Sequence, residues 1–424
     1  MESTADYSLL AAVVALLAAV FGALWLFRRR VARDRERREE RVERALASAR
    51  KAVRAKAGNK GARRYVRAQM QLAMLLTEAA GRRPNRARFE EAITLLTKAI
   101  PVLRDKRLTP ELATAIYYKG RAEWGLGGLE LGWERLEAAV DTFRELLKVE
   151  PWPRHLLRGV VVSLPAVILI DIGDRRDNPA IMEEGLELAR EAVATARKRV
   201  PIDRSIARRN LSHALGVIGR KTANVKLLEE AIDVAREALE DITQKAFPGH
   251  WAACHANLGF AMGSLGEVRA DEALLEEALT VMDAAGRPED PDGRREGRLM
   301  LAQNSGGIRL ALGRLRRDPG ILRQAVADLH EALEGFTGLA LPFGQAETAR
   351  MLGQTLAALG ELENDGDLVA QSADCFRWAL RIFEGGGATR HAAETAEALR
   401  VLEHAPQGDD SEKGAPHQPL YIVR

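Results

Sequence analysis

Only two cysteines and eight histidines occur in 424 residues, and none of them falls at the spacing of a structural zinc site. A disulfide-stapled fold is therefore excluded, and stability has to come from buried apolar surface. Aromatic residues make up 5% of the chain and prolines number 16; set against abundant Ala, Leu, Arg and Glu, this composition favours helices. A lysine-bearing phosphate loop, a G-x-S-x-G elbow, an H-E-x-x-H pair and a dinucleotide glycine fingerprint are all absent. The chain is accordingly expected to be no enzyme and to need no cofactor. A wholly disordered chain is excluded by a hydrophobic content of 46%.

The charges are unevenly placed. Ser8 to Phe27 is a run of twenty residues without a charge, and at about 1.5 Å per residue such a helix matches the thickness of a hydrocarbon core. A cleaved leader would need a basic start and a small-x-small site. Here Glu2 and Asp6 precede the run, and Trp25-Leu26-Phe27 leads directly into Arg28-Arg29-Arg30. Residues 8–27 are expected to be a single transmembrane helix after a short tail, 1–7. Residues 28–64 carry 16 Lys and Arg against 5 Asp and Glu, while residues 1–27 have no basic residue, so the positive-inside rule places the C-terminal part in the cytoplasm at the inner membrane. The stretch 28–64 reads as a helical basic stalk with Glu and Arg at helical spacing, Glu40 and Arg44 among them, and with a hinge at Gly58-Asn59-Lys60-Gly61. Contact with anionic lipid is an alternative use of that stalk. Nucleic acid is not an expected partner, because no aromatic residues are interleaved with the charge.

Beyond the stalk, glycines recur at Gly81, Gly127, Gly173, Gly219, Gly266, Gly313 and Gly360, a period of 46 to 47 residues. Small residues keep the same step in a second column (Ala73, Gly120, Ala166, Ser212, Gly259, Gly306, Gly353), a third (Ala92, Ala139, Gly185, Ala231, Ala278, Ala325, Ser372) and a fourth (Ala99, Leu146, Ala192, Ala238, Ala285, Ala332, Ala379). A fixed period of this size marks a solenoid of helix pairs, in which stacking buries the stripe that one pair cannot cover. The first glycine is expected to end the first helix in a left-handed conformation. The small residues inside the helices are expected to mark close backbone approach. Glu229-Glu230 and Glu276-Glu277 are expected to cap the second helices. The apolar run Val160 to Ile172 is too short to span a membrane and is expected to be a middle helix covered on both sides.

These columns resemble the tetratricopeptide repeat: Leu258-Gly259, Gly266, Ala278 and Ala285 follow its pattern, as do Leu352-Gly353, Gly360, Ser372 and Ala379. The usual unit is 34 residues, and the resemblance is to the long-period variety of bacterial signalling and scaffold proteins, with about seven extra residues assigned to the turn between helices. It covers residues 65–404 and implies an all-α, right-handed α-solenoid of about seven helix-turn-helix repeats with a C-terminal capping helix, followed by a disordered tail, 405–424. It also implies a concave face, lined by the first helices, that binds a protein or peptide. Aligned on the motif, the inward positions are Arg67, Arg121, Trp124, Arg209, His213, Phe260, Gln303, Arg350 and Gln354, a set suited to an acidic or C-terminal peptide. The function so implied is a membrane-anchored cytoplasmic scaffold.

His250 and Cys254, four apart on one helix face, could supply two metal ligands, and an enzyme or metalloprotein built on them is the competing reading. A third and a fourth ligand are not near them in sequence. His213 reads as a groove or packing residue, and Cys254 as a small buried thiol.

Overall fold

Small residues at a 46–47 step let helices lie against one another at short range, and long helices are what these residues build. The computed structural model describes residues 37, 39–58, 63–286 and 295–404. The transmembrane reading of 8–27, most of the hinge at 58–61 and the tail 405–424 lie outside those residues. Among the described residues every regular element is a helix, and no helix is long and apolar enough to cross a membrane.

After α1 (39–55) come α2 (Arg63–Arg82), α3 (Arg86–Asp105), α4 (Thr109–Gly127), α5 (Glu134–Leu147), α6 (Arg158–Arg175), α7 (Pro179–Thr195), α8 (Pro201–Lys221) and α9 (Val225–Glu240). The order continues with α10 (Pro248–Arg269), α11 (Glu272–Gly286), α12 (Arg295–Arg316), α13 (Pro319–Gly338), α14 (Pro342–Glu363), α15 (Gly366–Gly385) and α16 (Thr389–His404). The chain divides into two units, with the boundary after Leu75, inside α2. In the first, Leu46, Val66, Met70 and Leu72 are buried, and Arg44 pairs with Glu40 in the stalk at 3.7 Å. The second unit holds the array.

Each pair of the array is built by two sequence offsets. At i,i+19 the second column meets the third: Ser212 Oγ donates to the Ala231 carbonyl and Ser372 Oγ to the Gly353 carbonyl, both at 2.8 Å, and a Cβ on Gly185 would lie 3.0 Å from the Ala166 carbonyl. At i,i+9 the glycine column meets the first turn of the second helix. A Cβ on Gly127, Gly173, Gly219, Gly266, Gly313 or Gly360 would come within 2.5 to 2.9 Å of Leu136, Met182, Leu228, Leu275, Leu322 or Val369, whereas Gly81 has open space. Gly173, Gly219, Gly266, Gly313 and Gly360 sit inside the last turn of the first helix, Gly127 is the last residue of α4, and none of the six is left-handed, which corrects the capping role expected of them.

The left-handed residue comes four positions later, at Asp177, Ala223, Ala270, Arg317 and Asn364, with φ between 49° and 53°. The following N–H returns to the glycine carbonyl, for example Asn224 to Gly219 at 2.8 Å and Asp271 to Gly266 at 2.9 Å, the closing bond of a Schellman turn. The residue carrying that N–H also caps the next helix: Asn178, Asn224, Asp271, Asp318 and Asp365 each accept backbone N–H bonds from the first turn. One residue thus closes one helix and opens the next.

The connection within a pair is consequently two or three residues long from α6 onward, and the extra length assigned to it lies in the helices instead. The acidic pairs are not caps either. Glu230 accepts from Arg190 at 3.3 Å, Glu229 pairs with Arg269, and Glu276 pairs with Arg316 at 2.7 Å, so these carboxylates bridge successive pairs. Val160 to Ile172 lies within α6, which packs on α5, α7 and α8, and Val161, Ala166, Ile168 and Ile170 are almost wholly covered.

Candidate functional site

From α6 onward the first helices and α16 form a layer of their own. Contacts run from α6 to α8, α10, α12, α14 and α16, and from α16 back to α6, so this layer closes on itself. The closure has further contacts. Leu129, after α4, packs with Leu299, Phe336 and Leu341. At the far end of the array, a Cβ on Gly386 would lie 3.0 Å from the Leu131 carbonyl, and one on Gly387, at φ 67°, 2.7 Å from the Trp133 ring.

Eight of the nine expected groove residues lie on first helices of this unit and are half-buried. Arg121 donates to Glu78 at 2.5 Å and lies over the rings of Tyr117 and Tyr118. Arg209 binds Asn210 Oδ1 at 3.0 Å and approaches His250 Nδ1 at 3.3 Å. Phe260 lies under the Arg220 guanidinium at 5.4 Å. Gln303 donates to Thr348 Oγ1 at 2.8 Å, and Arg350 forms two bonds with Glu347 at 2.5 and 3.1 Å. The Gln354 carbonyl accepts from Arg314 at 3.1 Å. Trp124 lies on α4 beside Arg121 in sequence, His213 on α8; Arg67 is exposed and belongs to the unit that ends at Leu75. The structure thus joins Arg121, Arg209, Phe260, Gln303 and Arg350 to neighbours within the protein.

The densest polar cluster contains residues that the repeat pattern did not single out. Asp174, on α6, receives Arg390 Nη2 at 2.8 Å and lies 3.5 Å from His391 Nε2, both on α16 and 216 or 217 positions away; Lys221 Nζ is 3.6 Å from the same carboxylate. Lys221 also reaches Asp177 at 2.8 Å, and Arg390 reaches Glu394 at 2.6 Å. Arg175 holds Asp171 through two nitrogens at 2.9 Å and stacks over Phe343 at 4.2 Å; Phe343 and Phe383 also flank His391.

Burial opposes ionisation of Asp174, but the hydrogen bond and charge of His391, with Arg390 and Arg220, outweigh it and hold the carboxyl well below its usual range. Burial likewise works against Glu347, and Arg350 overcomes it, leaving Glu347 at about 2. For His213, burial dominates and pushes the imidazole down despite Asp171 and Asp174.

His250 and Cys254 do not converge on an ion-binding set. Cys254 is buried with Ala238 and Ile242, its Sγ 3.7 Å from Ser205 Oγ, and burial pushes its thiol up. His255 stacks on Trp251. Among the described residues no group of three His, Cys, Asp or Glu side chains is placed to hold a metal ion.

No family model matches the chain, and no curated protein matches it. Among solved structures, the chain is similar to a Rap protein crystallised with Competence and Sporulation Factor, at 13% identity and a TM-score of 0.40, over 86% of this chain and 98% of that one. It is also similar to a circular tandem repeat protein with novel repeat topology, at 16% identity and a TM-score of 0.25, over 85% and 94%. Neither likeness bears on what this chain binds. The class its own contacts define is an all-helical repeat protein.

Proposed function

We propose that the chain is a membrane-anchored, tetratricopeptide-like scaffold that holds a partner protein at the cytoplasmic face through the layer of first helices. The observation that carries this reading is the closed layer from α6 to α16 together with the half-buried Trp124, Phe260, Arg121 and Arg209 on first helices of the same unit. Such a surface combines aromatic area with planar donors, the combination that dominates protein recognition. Anchoring is supported by the uncharged run 8–27 and by the basic excess over 28–64. Action is by binding, with no catalytic step.

The test is affinity capture with the full chain in detergent, comparing wild type with Trp124→Ser, Phe260→Ser and an outer-surface control, Arg323→Gln. Partners retained by wild type and the control but lost from both inner variants support the reading. An identical set from all four proteins overturns it. Anchoring is checked by alkaline extraction of membranes: protein resistant to carbonate supports the span, and release into the soluble fraction rejects it.

A further inference from the structure

We propose that the junction of α6, α8, α14 and α16 is an oxyanion site: a carboxylate or phosphate group seated among Arg175, Arg390 and His391 satisfies their open nitrogens and holds α16 on α6. The proposal rests on the reading of the first-helix layer as the binding face and adds the chemistry of the ligand.

Four buried side-chain nitrogens among the described residues have no hydrogen-bond partner: Arg175 Nη1, Lys221 Nζ, Arg390 Nε and His391 Nδ1. All four belong to this one cluster. Lys221 is still ion-paired to Asp177 at 2.8 Å, and Arg390 Nε lies 3.7 Å from the same carboxylate, beyond hydrogen-bond distance, which leaves Arg175 Nη1, Arg390 Nε and His391 Nδ1 without a hydrogen-bond partner. Arg175 is 7% exposed and His391 3%, so bulk water does not reach them freely, and buried donors left unmade are costly.

These groups share neighbours. His391 and Arg390 meet on Asp174, and His391 and Arg175 meet on Phe343.

The charge balance identifies what is missing. Around the junction stand Asp171, Asp174 and Arg175 of α6, Asp177 of the following turn, Arg220 and Lys221 of α8, Glu347 and Arg350 of α14, and Arg390 and Glu394 of α16. Carboxylates and cations match one for one. His213 and His391 are the remaining titratable groups at the junction; with hydrogen on both ring nitrogens, His391 offers Nδ1 as a donor and carries one positive charge. A bound monoanion neutralises that charge and supplies the absent acceptor oxygens. Binding is therefore coupled to closure, because Arg390 and His391 reach Asp174 only while α16 rests on α6.

The experiment is thermal unfolding and calorimetric titration of the full chain in detergent micelles, with sodium acetate, inorganic phosphate or sodium chloride at matched ionic strength and one pH. A saturable rise in Tm with acetate or phosphate, absent with chloride, is expected; acetate alone assigns the site to carboxylates, and phosphate alone to phosphate esters. Arg390→Lys retains the charge facing Asp174 but lacks Nε, and is expected to raise the half-saturating concentration about tenfold. His391→Phe, which lacks Nδ1, is expected to weaken the saturable effect as well. If that variant does not fold, Arg390→Lys decides. No saturable effect beyond chloride, or an undiminished effect in Arg390→Lys, overturns the proposal. Either result leaves the inner-layer reading standing, since that is judged at Trp124 and Phe260.

Discussion

Gly266 and Ala270 show how a residue's role can be mistaken when its neighbours are unknown. A periodic glycine near a helix end suggests a left-handed cap, yet the left-handed residue is Ala270, at φ 52°, while Gly266 makes room for Leu275. The two positions should therefore respond in opposite ways. Gly266→Ala is expected to lose about 1–2 kcal/mol, because overpacking against Leu275 exceeds the gain in helix propensity. Ala270→Gly is expected to be neutral or to gain up to about 1 kcal/mol, since relief of left-handed strain offsets the added freedom of the unfolded chain. Denaturant unfolding of both variants checks this, and the reverse order would reject the assigned geometry. Asp271 is the companion case: it caps α11 by accepting from Leu274 N–H at 3.0 Å, and Asp271→Ala is expected to cost about 1 kcal/mol.

Between elements, apolar contact matters more than the regular ion pairs do. The bridges Arg190 to Glu230 and Arg144 to Glu184 join successive second helices but are near half-exposed on both sides. Glu230→Gln is expected to change stability by less than about 0.5 kcal/mol and to lose even that in high salt. Ile170→Ala should cost about 2–5 kcal/mol, because that side chain is fully covered within the core that runs from α6 to α12. Urea unfolding at low and high salt separates the two effects. The helix pairs, the close-packed columns and the covering of α6 were legible in the sequence, since a strict period exposes whichever positions share one environment. The short turn was not. Asn178, Asn224, Asp271, Asp318 and Asp365 form a column five residues after the glycine, a signal present in the chain but hidden by its two residue types.

Across the array, closure places ionisable groups where pH acts on stability. Glu347 falls from an ordinary 4.5 to about 2 on folding, and Asp174 also falls. A depressed carboxyl pKa contributes stability that is full above the unfolded value and is lost as pH drops through the folded one. His213, depressed from 6.5 by burial, must be charged in acid at the expense of the folded state, so its contribution too is lost on acidification. We expect Tm to begin declining below about pH 6.5 and to fall more steeply below about 4.5, with Glu347→Gln flattening the second stage. Circular dichroism melts between pH 8 and pH 3 test this; a flat Tm, or one that rises toward acid, would contradict the sign of all three shifts. Eight of the nine expected groove residues lie on first helices of one unit, and their partners were not foreseeable. Arg121 meets Glu78 and Gln303 meets Thr348 about one period away, by side-chain geometry that no column records.

The sequence alone determined that the array is helical and repeating, because a fixed step of small residues has only one compact solution: identical pairs laid side by side. What the tertiary structure decided is where that repetition stops mattering. Asp174 and Arg390 lie 216 positions apart, with Arg390 beyond the last repeat. No local propensity or period couples them. Only the accumulated rotation of successive pairs brings α16 back to α6 and makes one polar junction from residues so far apart along the chain.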